Sequence, residues 1–223
     1  MSSETRPAFY ALSRGGWRDY VTLLHPPYTL WHLSYVAVGA GLASPFSWTR
    51  CAAALVAFAL GMGVGAHALD ELHGHPLRTR IPDRTLWALA LGSIAAATAI
   101  GVYACVAWTW WLAPFVVAGA FIVVAYNLEL FGGAFHSTLW FALAWGSLPA
   151  FAAYVVQAGT LRLAAAAAAV YAALLSYAQR LLSTPAREAR REHGTTRPEL
   201  EAALMALAAA SVAVAAAVLL VHV

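Results

Sequence analysis

Long apolar stretches separated by short polar ones set the organisation of this chain. Seven stretches are mostly apolar: residues 28–48, 51–73, 85–106, 110–128, 136–157, 161–182 and 198–222. About 20 such residues cross the hydrocarbon core of a bilayer as a helix. The pattern therefore predicts an all-α fold, a polytopic membrane bundle of about seven transmembrane helices. The first stretch follows His25-Pro26-Pro27, and two prolines forbid a helix running in from upstream. Residues 1–27 read as an N-terminal interfacial segment, with Phe9, Tyr10, Trp17 and Tyr20 beside Arg14 and Arg18. This segment lacks a compact apolar core and a small-residue cleavage site, so no secretory signal is expected. Residues 28–223 then form one transmembrane helical domain. Trp108-Thr109-Trp110-Trp111 separates the third and fourth spans as an interfacial aromatic run.

Composition agrees with lipid as the solvent. The 223 residues are 62% hydrophobic and 10% charged, where a soluble domain carries roughly a quarter charged. All 13 basic residues are arginine. With the N-terminus inside, eleven arginines fall on the inner side and only Arg50 and Arg162 on the outer. That asymmetry predicts an integral protein of the cytoplasmic membrane with its C-terminus outside. A net charge of +3 with scattered arginines points away from nucleic acid. Cys51 and Cys105 have no framework spacing and read as small apolar fillers.

Several charges have local explanations. Thr196-Arg197-Pro198-Glu199 has the form of a capping box, Glu201 favours the same helix start, and Asp83 after Pro82 is placed to cap the third span. Glu188 and Glu192 lie among loop arginines, and Arg187 falls within the inner arginine count. His25 and His32 read as interfacial packing residues. What remains is His67, Asp70, Glu71, His73, His75, Asn127, Glu129, His136, Gln179 and Arg180. These fall at the ends of the second, fourth and sixth spans or just after them. Ionisable residues near lipid carry a cost and mark functional cavities, so three ends sharing the habit predict a common polar cavity opening inward.

The first cluster is GAHALDELHGHPLRTRIP, residues 65–82. His67, Asp70 and Glu71 stand at i, i+3 and i+4 on one helix face. Carboxylates near histidine suit a divalent cation: magnesium with oxygen ligands, or zinc, iron or manganese with mixed ones. Arg78 and Arg80 offer guanidinium forks for an anionic group. The second cluster is Tyr126-Asn127-Leu128-Glu129 followed by His136, and no loop cation is available to pair with Glu129. Arg180 either binds an anion or snorkels to the interface.

In layout these clusters resemble the UbiA superfamily of intramembrane prenyltransferases. AHALDELHGHPLRTRIP is similar to that family's acidic motif at the end of the second helix with its basic follower. VAYNLELFGG and WGSLP resemble its fourth and fifth helices, and HPPYTLWHLSYVAVGAGL its first. His67 and Ala68 stand where an asparagine and the first aspartate are expected, and YAQRLLSTPAR replaces the second acidic motif. The resemblance covers about residues 25–185. It implies an enzyme acting on a prenyl diphosphate or related isoprenoid lipid, by transfer or cyclisation. Asp70 and Glu71 would hold Mg2+, Arg78, Arg80, Asn127 and Arg180 would bind substrate, and Tyr126 would stabilise a carbocation, with Glu129 beside it.

Two other classes stay open at this level. His67, Asp70, Glu71, Glu129 and His136 could hold Zn2+, Fe2+ or Mn2+ in a membrane hydrolase or oxidase. A small proton-coupled transporter is the third, with Gln157 as its one polar candidate near the opposite side.

Overall fold

The computed structural model describes residues 6–223, and within them every regular element is helical. A short helix α1 (Trp17–Leu23) precedes α2 (Pro26–Gly41). Six longer helices follow: α3 (Trp48–Leu72), α4 (Asp83–Ala107), α5 (Trp110–Asn127), α6 (Thr138–Ala158), α7 (Leu163–Glu192) and α8 (Pro198–Leu220). By length and composition these six can cross a membrane, which marks the chain as an integral membrane protein.

The expected first span at 28–48 differs in length. It forms α2, which has 16 residues and ends at Gly41, short of the polar turn at Ser44-Pro45. At 1.5 Å per residue α2 is about 24 Å long, less than the roughly 30 Å of a hydrocarbon core. It is an internal post: eleven of its sixteen residues are buried, and it packs chiefly against α6 and α8. α6 is the other inner helix, 61% buried along its apolar window against 33% or less for the other five.

Close approach explains this core. A Cβ on Gly39 would overlap the Ala150 carbonyl of α6, and one on Gly146 would lie 2.5 Å from the Ala172 carbonyl of α7. Helices in lipid associate by such small-residue contacts because lipid offers no hydrophobic drive between them. Gly39→Ala is therefore expected to lower stability by about 1–3 kcal/mol through overpacking. Gly92→Ala, with open space around it, should be neutral or better. Thermal unfolding in detergent distinguishes the two, and equal midpoints would refute the packing account.

Two stretches wind as π-helix, Ala59–Ala66 in α3 and Ala142–Ser147 in α6. The wider i→i+5 turn leaves carbonyls available to side chains and commonly marks functional positions. α7 departs most from its expected limits of 161–182. It continues through Pro185 to Glu192, because Ser183, Ala186 and Ala189 extend its buried face. Arg190 then binds Glu201 through Nε at 2.7 Å and Nη2 at 2.6 Å. Glu201 thus serves as an ion-pair partner, and the proposed capping box is not formed: no side chain caps α8. Nor does Asp83 cap α4, where Pro82 is the capping position. Cys51 and Cys105 are buried, unpaired and in separate apolar clusters.

At one end of the bundle Arg50 donates to the Val156 and Gln157 carbonyls, and the Gln157 amide bridges Ser47 N and O at 2.9 Å each. Gln157 is thereby a structural pin. The other end, formed by the C-termini of α3 and α5 and the last turns of α7, is polar. Residues 6–16 lie across it as a strap, with Ala8 and Ala11 packed on Leu77.

Candidate functional site

The polar end is built on a loop, residues 73–82, tied down by two buried carboxylates. Glu71 accepts from Leu77 N at 2.9 Å, Thr79 N at 2.8 Å and Thr79 Oγ1 at 2.9 Å. Asp19 of α1 accepts from Gly15 N and Arg80 N, each at 2.9 Å. Carboxylates at such concentrations of N–H donors are structural staples. The expected role of Glu71 as a metal ligand is therefore corrected: its oxygens face the loop. Asp19 is a functional support that sequence reasoning missed, since one aspartate on a short interfacial helix carries no pattern.

Asp70 points elsewhere. One residue along a helix is a rotation of about 100°, and the carboxylate of Asp70 lies within Coulombic range of Arg187, His136 and Arg180. Arg187 also acts on Tyr10, His25 and Tyr126. Thus Arg187, first counted only toward orientation, belongs to the site. Arg78 and Arg80 do not join it; both are exposed on the loop and neither is among the charges acting on Asp70.

The second cluster gathers around His136. His136 Nδ1 lies 3.1 Å from the Tyr126 carbonyl, so Nδ1 carries the hydrogen and donates it. Its Nε2 then accepts from Arg180 Nη2 at 3.3 Å. Glu129, exposed and left-handed at φ 48°, places Oε1 3.7 Å from His136 and 3.9 Å from His73. Tyr126 stacks on His136 at 4.5 Å and meets Trp145 at 4.4 Å. Phe141 stacks on Trp145 at 5.5 Å, and the Arg180 guanidinium lies 5.5 Å from the Phe141 ring. The Tyr126 hydroxyl and Gln179 Oε1 are sealed from solvent without hydrogen-bond partners. Asn127 donates to the Val123 carbonyl one helical turn back, so its amide group serves the end of α5.

The five histidine and carboxylate candidates for a transition metal, His67, Asp70, Glu71, Glu129 and His136, do not assemble. His67 donates from Nδ1 to the Gly63 carbonyl at 3.1 Å, a carbonyl of the π-wound stretch. His136 is engaged by Arg180, and Glu71 by the loop. Among the described residues no three His, Cys, Asp or Glu side chains are placed to share a metal ion. For magnesium, Glu71 is engaged by the loop, and Asp70, the other carboxylate of the predicted pair, is under the influence of the Arg187 and Arg180 guanidiniums. The donor set does not fit the expected metal.

No protein-family profile, no curated protein and no solved structure matches this chain.

An apolar groove adjoins this aromatic and polar cluster, with Trp145 in both. It runs between α3, α4, α5 and α6, spans about 890 Å3 including its open side, and is lined by Phe58, Met62, Ile94, Phe115, Val123 and Trp145 among others. Trp145 is common to the groove and to the aromatic wall beside Arg180.

Beneath the strap, the Tyr10 hydroxyl meets His25 Nδ1 at 2.7 Å, and the His25 ring stacks on His67 at 4.0 Å and 13°. Burial pushes the His25 imidazole well below its usual 6.5, and His67 and Arg187 push it the same way. In the unfolded chain His25 takes a proton as pH falls through about 6.5, while the folded state resists it. Stability therefore declines below that pH. Thermal midpoint and protease resistance of the strap should both be lower at about pH 5.5 than at about pH 7.5, and His25→Gln should flatten the difference. A wild-type profile without slope in this window would contradict the buried, neutral His25.

Proposed function

We propose that this chain is a UbiA-like integral-membrane enzyme acting on a prenyl diphosphate or related isoprenoid lipid, by prenyl transfer or cyclisation. One observation carries the reading: Trp145 belongs both to the apolar groove and to the aromatic wall that Arg180 overlies. A headgroup and a long apolar chain of one amphiphile can then be held at once. The convergence of the ends of α3, α5 and α7 supports it, and the arginine asymmetry supports a chamber opening to the cytoplasm.

In this reading Arg180 and Arg187 bind the diphosphate oxygens. Guanidinium forks match such oxygens and hold charge where it develops. The allylic C–O bond breaks, its electron pair leaves with the diphosphate, and the cation lies against the faces of Tyr126, Phe141 and Trp145. The Asp70 carboxylate offsets part of the charge of the two guanidiniums, which both act on it electrostatically. His136, with its tautomer fixed by the Tyr126 carbonyl, positions Arg180. Because the donor set does not fit the expected magnesium, no step is assigned to it.

The test is release of inorganic diphosphate by purified protein from prenyl diphosphates of increasing chain length. It is run with Mg2+ and with chelator, and with Arg180→Ala as the control for contaminating phosphatases. Release by wild type that the control lacks supports the reading. No release at any chain length by folded protein overturns it.

A further inference from the structure

The apolar groove has a second polar neighbour, at the end of the bundle opposite the strap. Arg50 stands there in the first turn of α3. Its Nη1 donates to the Val156 and Gln157 carbonyls at 3.2 and 2.9 Å, and its guanidinium lies 5.6 Å from the centre of the Trp108 ring. Val156 and Trp108 both line the groove. These hydrogen bonds use one nitrogen of the fork. Nη2 and Nε have no hydrogen-bond or ion-pair partner among the described residues. A guanidinium fixed through one nitrogen, with its other donors left over, is prepared for an anion. The positive end of α3, where Arg50 stands, adds to that preference.

The groove lies toward this same end. Its lining residues fall between 53 and 62 on α3 and between 94 and 104 on α4, while those helices reach the polar end of the bundle at Leu72 and Asp83. On α6 the lining runs from Trp145 to Val156, about 16 Å at 1.5 Å per residue. Half of a hydrocarbon core is about 15 Å thick. The groove is therefore about as long as one leaflet is deep, and Arg50 stands where that leaflet's headgroups would be. The one hydroxyl in its lining, on Thr98, donates to the Ile94 carbonyl at 2.8 Å. The walls thus offer apolar contact, and polar recognition is confined to the mouth.

We propose that the groove seats a membrane phospholipid from the leaflet at the Arg50 end, with its phosphodiester on Arg50 and one acyl chain between α3, α4, α5 and α6. The other chain stays in the bilayer beyond the open side. A neutral lipid with the same chains has nothing for the guanidinium, and a free phosphate ester has nothing for the groove, so neither is held as well. The proposal does not rest on the prenyl diphosphate reading, but it bears on it. A substrate chain entering past Trp145 from the polar end has to displace the lipid's chain.

Native mass spectrometry of detergent-purified protein, titrated with dioleoyl phosphatidylglycerol, tests this. Diolein carries the same chains without the phosphate, and glycerophosphate carries the head without the chains. The wild type should hold one phosphatidylglycerol at least about tenfold more tightly than either, the effect of a hydrogen bond to a charged group. Arg50→Gln keeps amide N–H groups for the α6 carbonyls but removes the charge. Ala57→Phe fills the groove two turns along α3 from Arg50. Each should weaken phosphatidylglycerol binding by about tenfold or more. Equal retention of diolein and phosphatidylglycerol by the wild type overturns the proposal without recourse to any variant. Glycerophosphate bound as tightly as phosphatidylglycerol reduces the mouth to a free-anion site and also overturns it. So does unchanged phosphatidylglycerol binding by either folded variant. Diphosphate release enters none of these measurements, so failure of the enzymatic reading is recognised separately.

Discussion

Arg180→Ala is expected to lower diphosphate release by about a hundred- to a thousandfold. Removing one preorganised donor to a developing anion commonly has that effect in enzymes. Arg180 is suited to the role by its support: His136 Nε2 receives one of its N–H groups at 3.3 Å, and Phe141 backs the guanidinium plane. No carboxylate forms an ion pair with it among the described residues, so its fork is available to a ligand. For the same reason the substitution should change thermal stability only slightly. Arg180→Lys keeps the charge but not the planar fork, and an ammonium satisfies His136 and the ligand less well. Its activity should fall between the other two. Wild-type release by the alanine variant, measured on the same preparation as the thermal midpoint, would remove Arg180 from the site.

Glu71→Ala is expected to cause the largest loss of stability, about 3–5 kcal/mol. The side chain is completely buried and accepts from three donors, Leu77 N, Thr79 N and Thr79 Oγ1. Hydrogen bonds to charged groups contribute about 1.5–3 kcal/mol each, and the donors left behind become unsatisfied. Because the three bonds act on one loop, they do not add independently. Glu71→Gln retains one acceptor oxygen but turns an amide N–H2 toward donors, and should lose less. Glu129→Ala, an exposed carboxylate with histidine partners beyond 3.6 Å, should change stability by less than about 1 kcal/mol. The thermal midpoint together with protease cleavage within residues 73–82 checks the comparison. A Glu71→Ala protein as stable as Glu129→Ala would show that the loop does not depend on the carboxylate.

Much of the bundle is legible in the pattern of apolar residues, and each of the seven stretches forms a helix. The length of α2 is not, because a buried helix and a spanning helix can have the same composition. The extent of α7 is obscured by Pro185, which would end a solvent-exposed helix more readily than one whose flanking turns are packed. At the site, the convergence of three helix ends is legible from Asp70, Tyr126, His136 and Arg180. The division of labour between Asp70 and Glu71 is not. Adjacent residues differ by about 100° in direction, and only the fold of the following loop reveals which one meets it. Arg187 was hidden by a sufficient alternative explanation, its contribution to charge asymmetry.

The open side of the groove among α3, α4, α5 and α6 determines what recognition there can mean. Lipid tails have access to it whenever it is vacant, so a ligand's chain does not leave water on entering; it changes places with another hydrocarbon chain. Such an exchange is nearly neutral in hydrophobic terms, since both chains begin and end in oil. Selectivity for chain length must then arise from fit against rigid walls such as Trp145 and Phe115. Affinity must arise mainly from the polar head.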